Sequence, residues 1–315
     1  MGREDIPVIE HCETPVTEGR RIPVERLRPG DHSCMDFDDV EARWEVLTAF
    51  TQIGLARGER VLLILDPNDL TDDAAVARLD GGTGHADAAR ARGQFVVARN
   101  TPLYFPNGEQ FDADRQRRAY AAATESAVND GYRALRVTIS MEWAPRAGWS
   151  DDQLAAWEGS VEHLFASAPF AALCWYDRDR FSEHMLTSAR RIHPVQVMDR
   201  LGMLEVTRHS RGARIAGSAE LGSREEFTRI LGDVLARRPE QGPLRFELDL
   251  ADMCYMDAHC AWMLIDLAAA LPAGDRLVVR CPRLLETVLR GLGADGVSQL
   301  ELVVESDQDG AEGVA

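Results

Sequence analysis

The chain has 315 residues, 45% hydrophobic and 28% charged, with a formal net charge of −17. That is room for two domains with their own cores, and the acidic balance disfavours nucleic acid as a direct partner, which would need a basic stripe. All 35 basic residues are arginine, which excludes Schiff bases, pyridoxal phosphate anchoring and a phosphate-cradling P-loop lysine. No run of about 18 apolar residues is present, so no membrane span is expected. The opening MGREDIPVIEHCETP lacks the apolar core of a secretory signal, and a cytoplasmic location is expected. The six cysteines form no C-x-x-C and are expected to be reduced thiols.

In chain order, Pro29–Phe37 (PGDHSCMDF) places His32 and Cys34 two residues apart, on one face if this is a strand. Apolar residues at Val40, Trp44, Leu47, Phe50 and Ile53–Leu55 predict a helix over 38–58. RVLLIL at 60–65 predicts a strand buried on both faces. A helix over 72–80, a strand over 94–98, a loop over 100–110, a helix over 112–130 and a strand over 134–140 follow. The aromatic loop MEWAPRAGW, a helix over 151–167 and a strand over 170–176 complete a β–α alternation that predicts a parallel α/β sheet. After a hinge near 195–202 the pattern changes. Antiparallel strands over 203–208 and 213–217 precede a helix over 223–237, a strand over 244–250 and a turn over 251–256. Then come a helix over 258–270, whose apolar face includes Trp262, Leu264–Ile265 and Ala268–Ala269, a strand over 275–280, a helix over 282–292 and a strand over 298–304. The division expected is 1–198, 199–305 and a disordered acidic tail over 306–315.

The helix–glycine–strand setting GLARGERVLLILD is that of a phosphate loop, but the next residues, Asp66-Pro67-Asn68-Asp69, have neither glycine nor lysine and would repel an anion. Ligands of open parallel sheets bind beyond the strand C-termini. The candidates there are Asp66, Glu142, Trp143, Tyr176 and Asp177, with His32 and Cys34 ahead of the first helix. His32 and Cys34 admit several readings: half of a metal site lacking partners at recognisable spacing, a Cys/His nucleophile pair, a redox-sensitive thiol, or packing. No catalytic residue, metal ligand set or cofactor is assigned.

PGDHSCMDFDD, GLARGERVLLIL, YFPNGEQFD, GYRALRVTISMEWA, ALCWYDRDRF and RRIHPVQV, in this order over 28–200, resemble the methanogen/methylotroph sensory (MEDS) domain. The resemblance implies a RecA/KaiC-like core without its phosphate loop and a sensory role, directed at small hydrocarbon-like molecules. LRFELDLADMCYMDAHCAWMLIDL resembles the STAS domain of sulfate transporters and anti-sigma factor antagonists, whose pattern is D-L-S-x-V-x-F-[IM]-D-S-[ST]-G-L. Its switch region falls on Asp249, Asp257, His259 and Cys260. The hydroxyl that antagonists phosphorylate is replaced by His259, which puts a phosphorylation switch in doubt and leaves a docking role.

The fold class expected is therefore α/β: a RecA-like, mostly parallel sheet without a P-loop, and a smaller STAS-like domain. The function expected is non-enzymatic signalling, reading a small molecule or redox signal and relaying it to an anti-sigma factor, a kinase or another STAS protein, with self-association left open. The alternatives are a metal or haem sensor through His32/Cys34, His11/Cys12 or His259/Cys260, and an enzyme using the strand-end pocket.

Overall fold

The computed structural model describes residues 20–209, 211–235 and 243–304. His11, Cys12 and the acidic tail lie outside the described residues.

The first domain runs β1 (Arg20–Ile22), β2 (His32–Phe37), α1 (Val40–Ala56), β3 (Arg60–Leu65), α2 (Asp72–Asp80), α3 (His85–Ala91), β4 (Phe95–Arg99), α4 (Asn100–Tyr104), α5 (Ala113–Asn129), β5 (Leu135–Ser140), α6 (Trp143–Arg146), α7 (Asp151–Ser160), α8 (Glu162–Ser167), β6 (Phe170–Asp177), α9 (Glu183–Ile192) and β7 (Val195–Val197). Its seven strands are all parallel, in the order β1-β7-β2-β6-β5-β3-β4. A parallel sheet flanked by helices fits a RecA-like core. Every residue of β5 is buried, as are all of β6 up to Asp177, which is why these strands read as nearly continuous apolar runs.

Alternation along the strands divides the core in two. Met35, Phe37, Leu173 and Trp175 pack on the face covered by α1 to α3, while Cys34, Cys174 and Tyr176 pack on the face of α5 to α9. Each fully buried aliphatic side chain, such as Leu63 or Ile64, contributes about 1.5–3 kcal/mol through removal from water.

The second domain runs β8 (Leu204–His209), β9 (Gly212–Ala219), α10 (Arg224–Leu235), β10 (Arg245–Asp249), β11 (Met253–Met256), α11 (Ala258–Ala269), β12 (Arg276–Cys281), α12 (Arg283–Gly291) and β13 (Leu300–Val304). Its sheet follows β11-β9-β10-β12-β13, with β8 antiparallel on β9. Gly212 and Gly217 of β9 leave no room for a side chain, since a Cβ would lie 1.7 Å from the Glu247 carbonyl oxygen and 1.8 Å from that of Met203.

Several expectations need correction. Residues 195–197 of the expected hinge are strand β7, paired with β1 and β2. Residues 253–256, read as a turn, are strand β11. The helix over 151–167 breaks at Val161 into α7 and α8. Trp262 is 56% exposed and lies off the buried stripe of α11, which is Cys260, Ala261, Leu264, Ile265 and Ala268. One residue turns a helix by about 100°, which carries Trp262 past the edge of that stripe.

Candidate functional site

The expected site residues separate into two places. The first is the C-terminal edge of the parallel sheet. There α4, the loop after it and α6 frame a cleft of about 680 Å³, lined by Phe105, Phe111, Trp143, Arg146, Trp149 and their neighbours. Phe111 stacks on Trp143 at 5.1 Å between ring centroids, and Trp149 meets both rings edge-on. The loop carrying Phe105 and Phe111 turns through Asn107 and Gly108 at φ 57° and 75°, a left-handed backbone that asparagine and glycine tolerate.

Arg146 bridges Asp66 and Glu142, with the Glu142 contact at 3.0 Å. Burial, then the charge of Asp66, raises the Glu142 carboxyl above its ordinary value, against the pull of Arg146. Asp66 Oδ1 also accepts from the Asn68 amide at 2.9 Å, whereas its buried Oδ2 has no hydrogen-bond partner, so the loop after β3 is anionic. Asp177 closes a turn by accepting from the Asp179 amide. The cleft thus pairs an aromatic wall with polar lining from Glu109, Gln110, Arg146 and Gln153, while Asp66 and Glu142 sit behind Arg146 and outside the lining, an arrangement suited to a small organic molecule. Of its lining, sequence reasoning singled out Trp143. It missed Phe111 and Arg146, although Trp149 fell in the aromatic loop it did notice.

The second place is buried beneath the sheet. His32 and Cys34 point to one face of β2, and Cys34 sits in register with Cys174 on β6. The capping box of Ser150 and Gln153 starts α7, which carries Glu158 over that face; α8 supplies Glu162 four residues on. Pro194 follows the end of α9, where His193 is the C-cap. His32, Glu158, Cys174 and His193 are all buried, and their ligand-type atoms lie within 4.8 Å of one another. Glu158 Oε2 is 3.3 Å from His32 Nε2, 3.2 Å from His193 Nε2 and 3.5 Å from Cys174 Sγ.

On the far sides of the rings, His32 Nδ1 lies 2.8 Å from Glu162 Oε2 and His193 Nδ1 lies 2.8 Å from the Ala189 carbonyl oxygen. Phe165 stacks on His32 at 4.3 Å. Burial alone would raise the Glu158 carboxyl, but the two imidazoles outweigh it and hold it at about 2. Burial and then His32 would lower His193; contacts with Cys34 and Glu158 outweigh them and take it to about 9. The Cys174 thiol is pushed well up, first by burial and then by the Glu158 charge. Tyr176 is buried here too, its hydroxyl without a hydrogen bond. His32, Cys34 and Tyr176 thus belong to this cluster and not to the cleft that holds Trp143.

The model of the MEDS family, the methanogen/methylotroph, DcmR sensory domain, matches residues 31–194. The chain belongs to the MEDS family. Both places lie within the matched MEDS residues, and a sensory domain is consistent with a role in signalling. Among solved structures, the chain is similar to the flagellar accessory protein FlaH from Methanocaldococcus jannaschii, at 11% identity and a TM-score of 0.37, over 61% of this chain and 80% of that one. No curated protein matches. No helix among the described residues is long and apolar enough to cross a membrane.

In the second domain, Asp257 N-caps α11 by accepting from the Cys260 amide at 2.7 Å and pairs with Arg224 at 2.8 Å. Asp249 accepts from the Ala251 amide. His259 is exposed and Cys260 is buried.

Proposed function

We propose that this protein is a cytoplasmic, non-enzymatic signalling protein whose MEDS domain binds a small apolar organic molecule in the strand-end cleft and whose second domain passes the result to a protein partner. The observation that carries this reading is the aromatic cleft within a domain of a sensory family. Its volume of about 680 Å³ is in the range of small-molecule sites. The acidic, lysine-free loop after β3 argues against a nucleotide in the RecA-like position.

The second domain is read as STAS-like because Asp249, the short turn, β11 and the Asp257-capped helix follow the order of that pattern. The partner class is an anti-sigma factor, a kinase or another STAS protein, and the role is one step in transcriptional regulation. Tyr255 and Trp262, each 56% exposed, supply the aromatic anchors that protein contacts favour. A hydroxyl-phosphorylation switch is not part of the proposal, since neither Ala258 nor His259 offers a hydroxyl.

The test is a thermal-shift titration of the full chain with apolar probes graded from toluene to bicyclic aromatics. A saturable rise in Tm with at least one size class, lost in Phe111→Ala, is the expected result. A flat response across the series from folded protein contradicts the reading.

A further inference from the structure

The buried cluster beneath β2 and β6 has no part in the cleft, and its four polar side chains come from β2, α7, β6 and the end of α9. Burying two imidazoles, a carboxylate and a thiol together is costly unless each is given a partner. Within this protein one carboxylate oxygen, Glu158 Oε2, faces all three of the others. His193 Nε2 makes no hydrogen bond at all, although that oxygen lies at 3.2 Å.

The separations from Glu158 Oε2 are close to those of a coordination shell, and the wider pairs of the group, up to 4.8 Å, would contract around an ion. Bonds of about 2.0–2.3 Å to a tetrahedral centre place neighbouring donor atoms about 3.3–3.8 Å apart. The three separations around Glu158 Oε2 are 3.3, 3.2 and 3.5 Å, and no pair in the group exceeds 4.8 Å. The outer contacts have the form that metal-binding histidines use. One imidazole gives its Nδ1–H to a carboxylate, Glu162, and the other to a backbone carbonyl, Ala189. This orients each ring with Nε2 facing inward, where a bound ion displaces the proton that nitrogen carries and that of the Cys174 thiol, both released to solvent.

We propose that His32 Nε2, His193 Nε2, one Glu158 carboxylate oxygen and the Cys174 thiolate bind a single divalent transition-metal ion, with zinc the best match. Two nitrogens and a sulfur exclude magnesium and calcium, which select oxygen donors. Four protein donors with no open position make a closed, structural site. Its effect is to pin α7 and the end of α9 to the middle of the sheet. The cleft reading does not depend on it: a metal-free protein can still bind an apolar probe, and a metal-loaded one can fail to.

The test uses the full chain purified without a metal-affinity step. Elemental analysis of the isolated protein is followed by chelation and titration with Zn²⁺ and Co²⁺. The expected result is saturation at one ion per chain, a rise in Tm on loading, and a thiolate-to-cobalt charge-transfer band. That band disappears in Cys174→Ser, a near-isosteric change, and persists in Cys254→Ser, which alters a thiol of the other domain. Glu162→Gln, at a half-exposed position, weakens Zn²⁺ binding about 10-fold or more, as expected for loss of an outer-shell acceptor. Failure of the folded chain to take up either ion overturns the proposal. So does a cobalt band unchanged in Cys174→Ser.

Discussion

Arg20 of β1 reaches out of the first domain and donates from Nε to Oδ2 of Asp252, at 2.9 Å, in the second. Asp252 is itself buried and also pairs with Arg214 of β9, whose guanidinium donates at 2.9 Å to the Arg21 carbonyl oxygen. Arg26 donates to the Met253 carbonyl oxygen alongside. The junction also lies close to the buried cluster along the chain, because the Arg20 amide donates at 3.1 Å to the carbonyl oxygen of Pro194, the residue after His193.

Removing the shared carboxylate leaves two guanidinium groups without their common anion. Loss of one partner of a fully buried pair costs about 3–5 kcal/mol. The Arg20 side chain is 54% exposed, so solvent screens its share, and Asp252→Ala is expected to cost about 2 kcal/mol. Urea denaturation measures this, and a loss indistinguishable from zero counts against a structured junction.

The same carboxylate sets a pH dependence. Burial would raise the Asp252 acid, but Arg20 and Arg214 outweigh it and hold it below its ordinary value. Its stabilisation is therefore complete above about pH 3.9, the unfolded value, and is lost as pH falls through the lower folded value. Across neutral pH the Asp252→Ala penalty should be constant, shrinking only in acid. Urea midpoints of wild type and variant from pH 7 downward check the sign.

Arg136 is fully buried in β5, where it pairs with Glu59, donates at 3.1 Å to the Leu27 carbonyl oxygen and lies over the Phe50 ring. Glu59→Ala, which strands the guanidinium, should cost about 3–5 kcal/mol, whereas the double replacement Glu59→Leu with Arg136→Met should cost far less. Gly54 leaves the space for this arginine: a Cβ there would lie 2.7 Å from Arg136 Cδ and 2.8 Å from Val61 Cγ2. Gly54→Ala is accordingly expected to lose about 1–3 kcal/mol in a thermal or urea melt.

At the start of α11, Asp257→Ala removes the cap on the Cys260 amide and should cost about 1 kcal/mol. His259→Ala and Trp262→Ala, both at exposed positions, should each stay within about 0.5 kcal/mol of the parent. If the aromatic surface is a contact, Trp262→Ala lowers affinity for an isolated partner without moving Tm. Equal affinity with and without the indole removes Trp262 from that role.

Much of this architecture was legible in the chain. RVLLIL, ALRVTIS and FAALCWY announce buried parallel strands because both faces of the sheet are covered. β1 and β7 were not, since three residues carry no periodicity, and β11 was masked by its closeness to the turn before it. His32 and Cys34 are conspicuous in the sequence, and Cys174 can join them only through folding, but Glu158 carries no signal. Glu158 lies 126 residues beyond His32, and no local spacing links the two. His193 was noticed only as part of RRIHPVQV. The cleft was half visible: its aromatic loop was apparent, whereas Phe111 follows a different helix and meets Trp143 only in the folded sheet.

Occupancy of the cleft in the first domain is expected to be felt in the second. Hydrogen exchange of the full chain, free and saturated with whichever apolar probe raises its Tm, tests this directly. Slowed exchange in α4 and residues 141–149, accompanied by altered exchange in β9 and β11 that Asp252→Ala abolishes, is the expected result. Protection confined to the first domain, with β9 and β11 unchanged on saturation, contradicts it.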